Sequence, residues 1–100
     1  MPDVTVILWR DIPAQVTSGS GRRATRALLP ERFQEAIDAA AMAAGMSGTD
    51  AYLEQWRRET TQRDGAVDAA VEAEAARIEQ EYTDDVLARL VRARGLKGDD

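Results

Sequence analysis

Three arginines, Arg22, Arg23 and Arg26, follow the stretch Gly19-Ser20-Gly21. They are the best reason to look for anion chemistry in this chain. Backbone amides in a glycine-rich turn can form a concave anion nest, and guanidinium groups add fixed charge with bidentate geometry. The stretch lacks the Gly-Lys-Ser/Thr ending of a nucleotide phosphate loop. It therefore reads first as solvated hairpin charge, and second as a contact for an anion or an acidic partner. A second set is Trp9, Arg10, Asp11 and Gln15. Trp is enriched in binding hot spots, and Arg grips carboxylate or phosphate bidentately. Read without a ligand, the same residues are a core aromatic and two turn charges, with Asp11 accepting backbone N–H bonds. Glu72, Glu79 and Glu81 fall on the polar side of a helix, where no apolar pocket is expected to raise a carboxyl pKa. They read as a solvated face.

The composition excludes much else. The chain has no histidine, which removes the commonest general base and transition-metal ligand. It has no cysteine, so neither a disulfide framework nor a thiolate site can form. No metal site and no cofactor is expected. The start of the chain lacks the basic segment and apolar run of a signal peptide. No stretch approaches the roughly 20 apolar residues that span a bilayer. The expectation is a cytoplasmic protein with no membrane partner. Residues 1–58 carry seven Arg against seven Asp/Glu, while residues 59–100 carry six basic against eleven acidic residues. The net charge of −5 disfavours nucleic acid, whose affinity comes mainly from phosphate neutralisation.

These residues need elements to position them. Val4-Thr5-Val6-Ile7-Leu8-Trp9 is β-branched and aromatic, and predicts a central strand. Arg10 to Pro13 turns the chain, residues 14–18 return as a second strand, and Arg22–Leu29 as a third. Period two puts Arg22, Ala24, Arg26 and Leu28 on one face of that third strand. Pro30 and Glu31 suit a helix start. Phe33, Ile37, Ala40, Ala41 and Ala44 form its buried stripe, and Gly45 its cap. Thr49 or Asp50 starts a second helix, with Tyr52, Leu53 and Trp56 inward and Arg57 and Arg58 at its end. From Ala66 to about Arg94, Val67, Val71, Ala75, Ile78, Tyr82, Val86 and Leu90 recur at helical spacing. The fold class is α+β: a three-stranded antiparallel β-meander followed by three helices. The expected organisation is a body over 1–58, a linker over 59–65, a helix over 66–95 and a frayed tail over 96–100. A helix of that length measures about 44 Å, against about 28 Å for a body of residues 1–65. It is expected to overhang, bend or pack on something else.

The blocks Trp9-Arg10-Asp11-Ile12-Pro13-Ala14-Gln15-Val16, Gly21-Arg22-Arg23, Glu31-Arg32-Phe33-Gln34-Glu35-Ala36-Ile37-Asp38 and Thr49-Asp50-Ala51-Tyr52-Leu53-Glu54-Gln55-Trp56 occur in order. This string resembles the bacterial "virulence factor" domain family, the domain at the front of conserved virulence factor C. The resemblance covers about residues 4–58 and leaves 59–100 outside. It implies a small intracellular protein, or the N-terminal module of a longer helical-repeat protein. The family name records a phenotype and carries no catalytic residues across.

The residues favour a non-enzymatic accessory or interaction module. Trp9, Arg10, Asp11 and Gln15 would meet a protein partner, and the long helix would support self-association. The alternative is a nucleic-acid- or anion-binding regulator using Arg22, Arg23 and Arg26. The third reading is a small enzyme built on carboxylates and arginine.

Overall fold

The computed structural model describes residues 3–19 and 25–97. Strand β1 (Asp3–Trp9) turns through Arg10-Asp11 into β2 (Ile12–Ser18), and β3 (Thr25–Leu28) pairs antiparallel with β2. This is the expected meander. A fourth strand, β4 (Trp56–Gln62), pairs antiparallel with β1 from Asp3↔Gln62 to Trp9↔Trp56. The sheet order is β3-β2-β1-β4, so β1 is central, as its β-branched sequence predicts.

β4 corrects the expectation of a second helix running to Arg58. Helix α2 is only Asp50–Glu54, capped by the Thr49 hydroxyl, which accepts from the Tyr52 N–H. Arg57 and Arg58 therefore lie in a strand. The segment expected to be a linker from 59 begins as the second half of that strand. Residues 57–62 are all exposed, so no apolar alternation marks them, and the ladder to β1 holds them extended.

Helix α1 (Glu31–Ala43) buries Phe33, Ala36, Ile37, Ala40 and Ala41. Gly45 follows at φ 72°, where a side chain would be strained. The Met46 N–H donates back to the Ala41 carbonyl at 2.9 Å, which closes the predicted cap.

The single long helix is also corrected. It is two helices, α3 (Val67–Glu81) and α4 (Asp84–Arg92). Tyr82 leaves helical geometry at ψ 77°, and the Thr83 hydroxyl accepts from the Val86 N–H to start α4. Arg32 of α1 donates to the carbonyls of Tyr82 and Glu79. It satisfies the end of α3 and holds the bend. The bend lets α4 pack on α1 while α3 packs over β1, β2 and β3. The molecule measures 40 × 28 × 25 Å, so the helical region folds back instead of overhanging. One core joins Val4, Trp9, Ile12 and Val16 of the sheet to Phe33, Ile37, Val71, Ile78, Leu87 and Leu90 of the helices.

The two faces of the sheet differ. Val4, Leu8 and Val16 are buried, and Val6 and Ala27 pack against the core. On the opposite face the register aligns Arg26, Thr17, Thr5 and Thr60 in one row, and Leu28, Gln15, Ile7 and Arg58 in the next. None of these eight is buried. A bulge between Ile7 and Leu8 separates this solvated face from the hairpin end. There Leu8, Trp9, Ile12 and Pro13 are all buried.

Candidate functional site

The residues that suggest chemistry fall into three places. The first is the hairpin end. Trp9 is fully buried and is a core aromatic rather than an exposed platform. Its indole N–H donates to the Tyr52 carbonyl at 2.9 Å, and its ring stacks on Tyr52 at 5.7 Å. Tyr52 meets Trp56 edge-on at 6.1 Å. Gly95 lies directly against the Trp9 ring: a Cβ there would stand 2.8 Å from Cζ3.

Arg10 sits at φ 54°, in the first position of a two-residue hairpin turn, where glycine or asparagine is the usual choice. Its side chain explains the exception. Arg10 Nε donates to Gln55 Oε1 at 3.1 Å, Nη1 to the Arg94 carbonyl at 2.8 Å, and Nη2 to Met46 Sδ at 3.4 Å. Asp11 accepts from Arg57 Nη2 at 2.9 Å and from the Lys97 N–H at 2.6 Å, and its own N–H donates to the Gly95 carbonyl at 2.8 Å. Arg57 Nε donates to the Arg10 carbonyl at 2.7 Å. Arg10 and Asp11 thus fasten the first hairpin to the start of β4 and to the chain after α4. Every nitrogen of the Arg10 guanidinium has a protein partner, which leaves only the second N–H of Nη1 and of Nη2 for any ligand. The tail expected to fray from residue 96 is tied down as far as Lys97.

The second place is a cleft of about 120 Å³ between β4 and α3. Val6, Leu8 and Pro13 form its apolar side, and Glu59, Arg63, Glu74 and Arg77 its polar side. Glu74 has a side chain only 7% exposed. Arg63 Nη2 reaches it at 3.1 Å and Arg77 pairs with it through two nitrogens, while Arg77 Nη1 also bonds Glu81 at 3.0 Å. Reading the helix for exposed carboxylates overlooks Glu74. Its position is legible, because Glu74 lies between Ala70, Val71, Ala75 and Ile78 in the buried stripe. The hydrogen bond from Arg77 is the main cause that holds the Glu74 carboxyl below its ordinary value of 4.5, outweighing burial. A carboxylate kept ionised this firmly is suited to fastening β4's end to α3, and poorly suited to moving a proton near neutrality.

The sign of the pH effect follows. A depressed carboxyl pKa contributes stability that is fully present above about 4.5 and lost as pH falls through the depressed value. Glu74→Gln is expected to cost about 1–2 kcal/mol at pH 7, the low end for charged hydrogen bonds, because Arg63 and Arg77 reach water. The variant should also lose less stability than the natural chain on acidification. Urea midpoints at pH 7 and in the acid range check both parts, and equal acid sensitivity would refute the second.

The third place is the solvated sheet face. Gln15 lies mid-sheet between Ile7 and Leu28, and Arg26 is exposed at the β3 margin. Leu28 is 79% exposed. Arg22 and Arg23 lie outside the described residues, so the expected anion nest is not described beyond Gly19. Arg26 and Arg58 stand on the two outermost strands and in adjacent rows, about 16 Å apart across three strand spacings and two residues. Among the described residues they do not form one contiguous cationic patch. The hairpin end and the sheet face are thus separate, and of Trp9, Arg10, Asp11 and Gln15 only Gln15 lies on the latter.

Among the described residues, no group of three or more acidic side chains is placed to hold a metal ion, and no helix is long and apolar enough to cross a membrane. A family model described as "Virulence factor" matches residues 7–91. No curated protein and no solved structure matches. The match runs well past residue 58, through β4, α3 and most of α4. It corrects the narrower span read from the motifs.

Proposed function

The chain belongs to the virulence factor domain family, and from that premise we propose that it is a non-enzymatic accessory module that docks a protein partner through its solvated sheet face. The observation that carries this reading is the contrast between the two faces. One is sealed by helices, while the other leaves Leu28 79% exposed beside exposed Arg26. Antiparallel sheets commonly have one wet face, but such faces are ordinarily polar. Here Ile7 and Leu28 share a row with Gln15, and Arg26 and Arg58 flank them. A row that sets Leu28 and Ile7 on either side of Gln15, with Arg58 at its end and Arg26 in the next row, suits a partner surface that mixes apolar and acidic groups. Whatever the partner, the Trp9–Asp11 hairpin end serves it only indirectly, by holding the sheet in shape.

The test compares partner capture by the full natural chain and by a Leu28→Asp/Arg58→Glu variant, both checked for folding by circular dichroism. A partner retained by the natural chain and by a Glu72→Lys control on α3, but lost by the face variant, is the expected result. Equal capture by all three chains would refute the reading, as would a partner lost only on the Glu72→Lys chain.

A further inference from the structure

β4 is the outermost strand on its side of the sheet. Its seven residues pair with β1 without a register shift, and Arg57 to Gln62 are all exposed. Helix α3 packs over β1, β2 and β3, so the helical layer is centred inboard of β4. The strand contains no proline and no glycine. An edge of this length and regularity presents a row of free N–H and C=O groups that another strand can complete.

We propose that β4 pairs antiparallel with β4 of a second copy of this chain, about a two-fold axis through Thr60. The charges on the strand select both the occupant and the register. A two-fold axis perpendicular to the sheet keeps both helical layers on one side, and makes one residue its own partner. Centring on Arg57, Arg58 or Glu59 puts like charges directly opposite each other, which destabilises the pair. Centring on Thr60 sets Arg58 opposite Gln62 and Glu59 opposite Thr61, with Thr60 facing Thr60. Residues 58–62 of each strand then pair with no like-charge contact, and the next pair out, Arg57 with Arg63, is neutralised within each copy by Asp11 and Glu59 and by Glu74. Centring on Thr61 leaves only residues 60–62 of β4 to pair, so the Thr60 register is the longest that avoids repulsion. The charged residues that make this edge unattractive to an unrelated apolar strand are accommodated by the same sequence running the other way. The product is one continuous eight-stranded sheet whose solvated faces merge. This inference goes beyond the docking reading and does not rest on it: a dimer can form whether or not the merged face binds a third protein.

The chain has no cysteine, so single-cysteine variants report the register cleanly. Cross-strand partners have Cα atoms about 4.5–5.5 Å apart, within the span of a disulfide. Two copies of residue 58, or two of residue 62, would lie about 14 Å apart, beyond it. Under mild oxidation the full chain carrying Thr60→Cys is expected to form at least about tenfold more covalent dimer than chains carrying Arg58→Cys or Gln62→Cys alone. An equimolar mixture of those last two is expected to link to each other. Sedimentation equilibrium of the natural chain should show a reversible monomer–dimer system. A natural chain that stays monomeric at its highest soluble concentration overturns the proposal. A dimer that links equally at residues 58, 60 and 62, or at none of them, also overturns it by placing the contact elsewhere.

Discussion

Trp9→Ala is expected to lower the unfolding free energy by about 3–5 kcal/mol, the range for truncating a large buried aromatic. Small domains have only about 5–15 kcal/mol in hand, so the variant should give up a large part of its stability while its unfolding stays measurable in the cold. The loss has several sources in one place. The ring is fully buried, stacks on Tyr52 and closes against Gly95. Its N–H satisfies the Tyr52 carbonyl just before β4 begins. Trp9→Phe separates these sources. It keeps an aromatic stack but removes the donor, so it should cost clearly less than Trp9→Ala. Urea unfolding followed by far-ultraviolet circular dichroism measures both. A loss below about 1 kcal/mol for Trp9→Ala would mean that the hairpin end is not the anchor described here.

Gly95→Ala is expected to cost about 2–5 kcal/mol from two causes that can be measured apart. The backbone at φ 86° lies in the left-handed region, where a side chain costs roughly 1–2 kcal/mol. The added methyl would also stand 2.8 Å from Cζ3 and 3.2 Å from Cε3 of the Trp9 ring. That ring is held on its other side and cannot withdraw, so overpacking adds roughly 1–3 kcal/mol. Gly48 supplies the control. It has φ 73°, and a methyl added there would meet nothing within 4 Å, so Gly48→Ala should show the backbone cost alone. In a chain already carrying Trp9→Ala, the steric part of Gly95→Ala should vanish, giving a strongly non-additive double-mutant cycle. Equal costs at Gly48 and Gly95, or additive losses in the cycle, would show that the close approach to Trp9 carries no energy.

Trp9, like its neighbours Arg10 and Asp11, is a residue type that invited a functional reading. Arg10 and Asp11 look like ligand-binding charges because they are adjacent, unlike and next to a tryptophan. Their partners are Gln55, Arg57, Arg94, Gly95 and Lys97, all of them far away along the chain. Spacing in the chain carries no information about such partners. The motif's distinctiveness comes from the number of distant groups it must satisfy at one turn, including a left-handed arginine. Glu74 shows the converse. Its place in the buried stripe of α3 is visible from periodicity, but its guanidinium partner Arg63 arrives only because β4 ends beside that helix.

What the sequence determined by itself is the set of elements whose stability is local. β-branched residues extend β1, a stripe of Phe33, Ile37, Ala40 and Ala41 with a Gly45 cap makes α1, and the missing imidazole and thiol narrow the chemistry. Tertiary structure decided β4, and it set the bend at Tyr82 together with a local cap, the Thr83 hydroxyl that starts α4. Arg57 to Gln62 has no apolar alternation and is extended because β1 offers it hydrogen bonds. The helical period runs unbroken from Val67 to Leu90, yet the chain turns at residue 82, where Thr83 caps a new helix and Arg32 of α1 takes up the carbonyls at the end of α3. Local propensity chooses among conformations that differ by tenths of a kcal/mol per residue, whereas a ladder or a charged clamp contributes one or more per contact. Where the two compete, the distant partner wins.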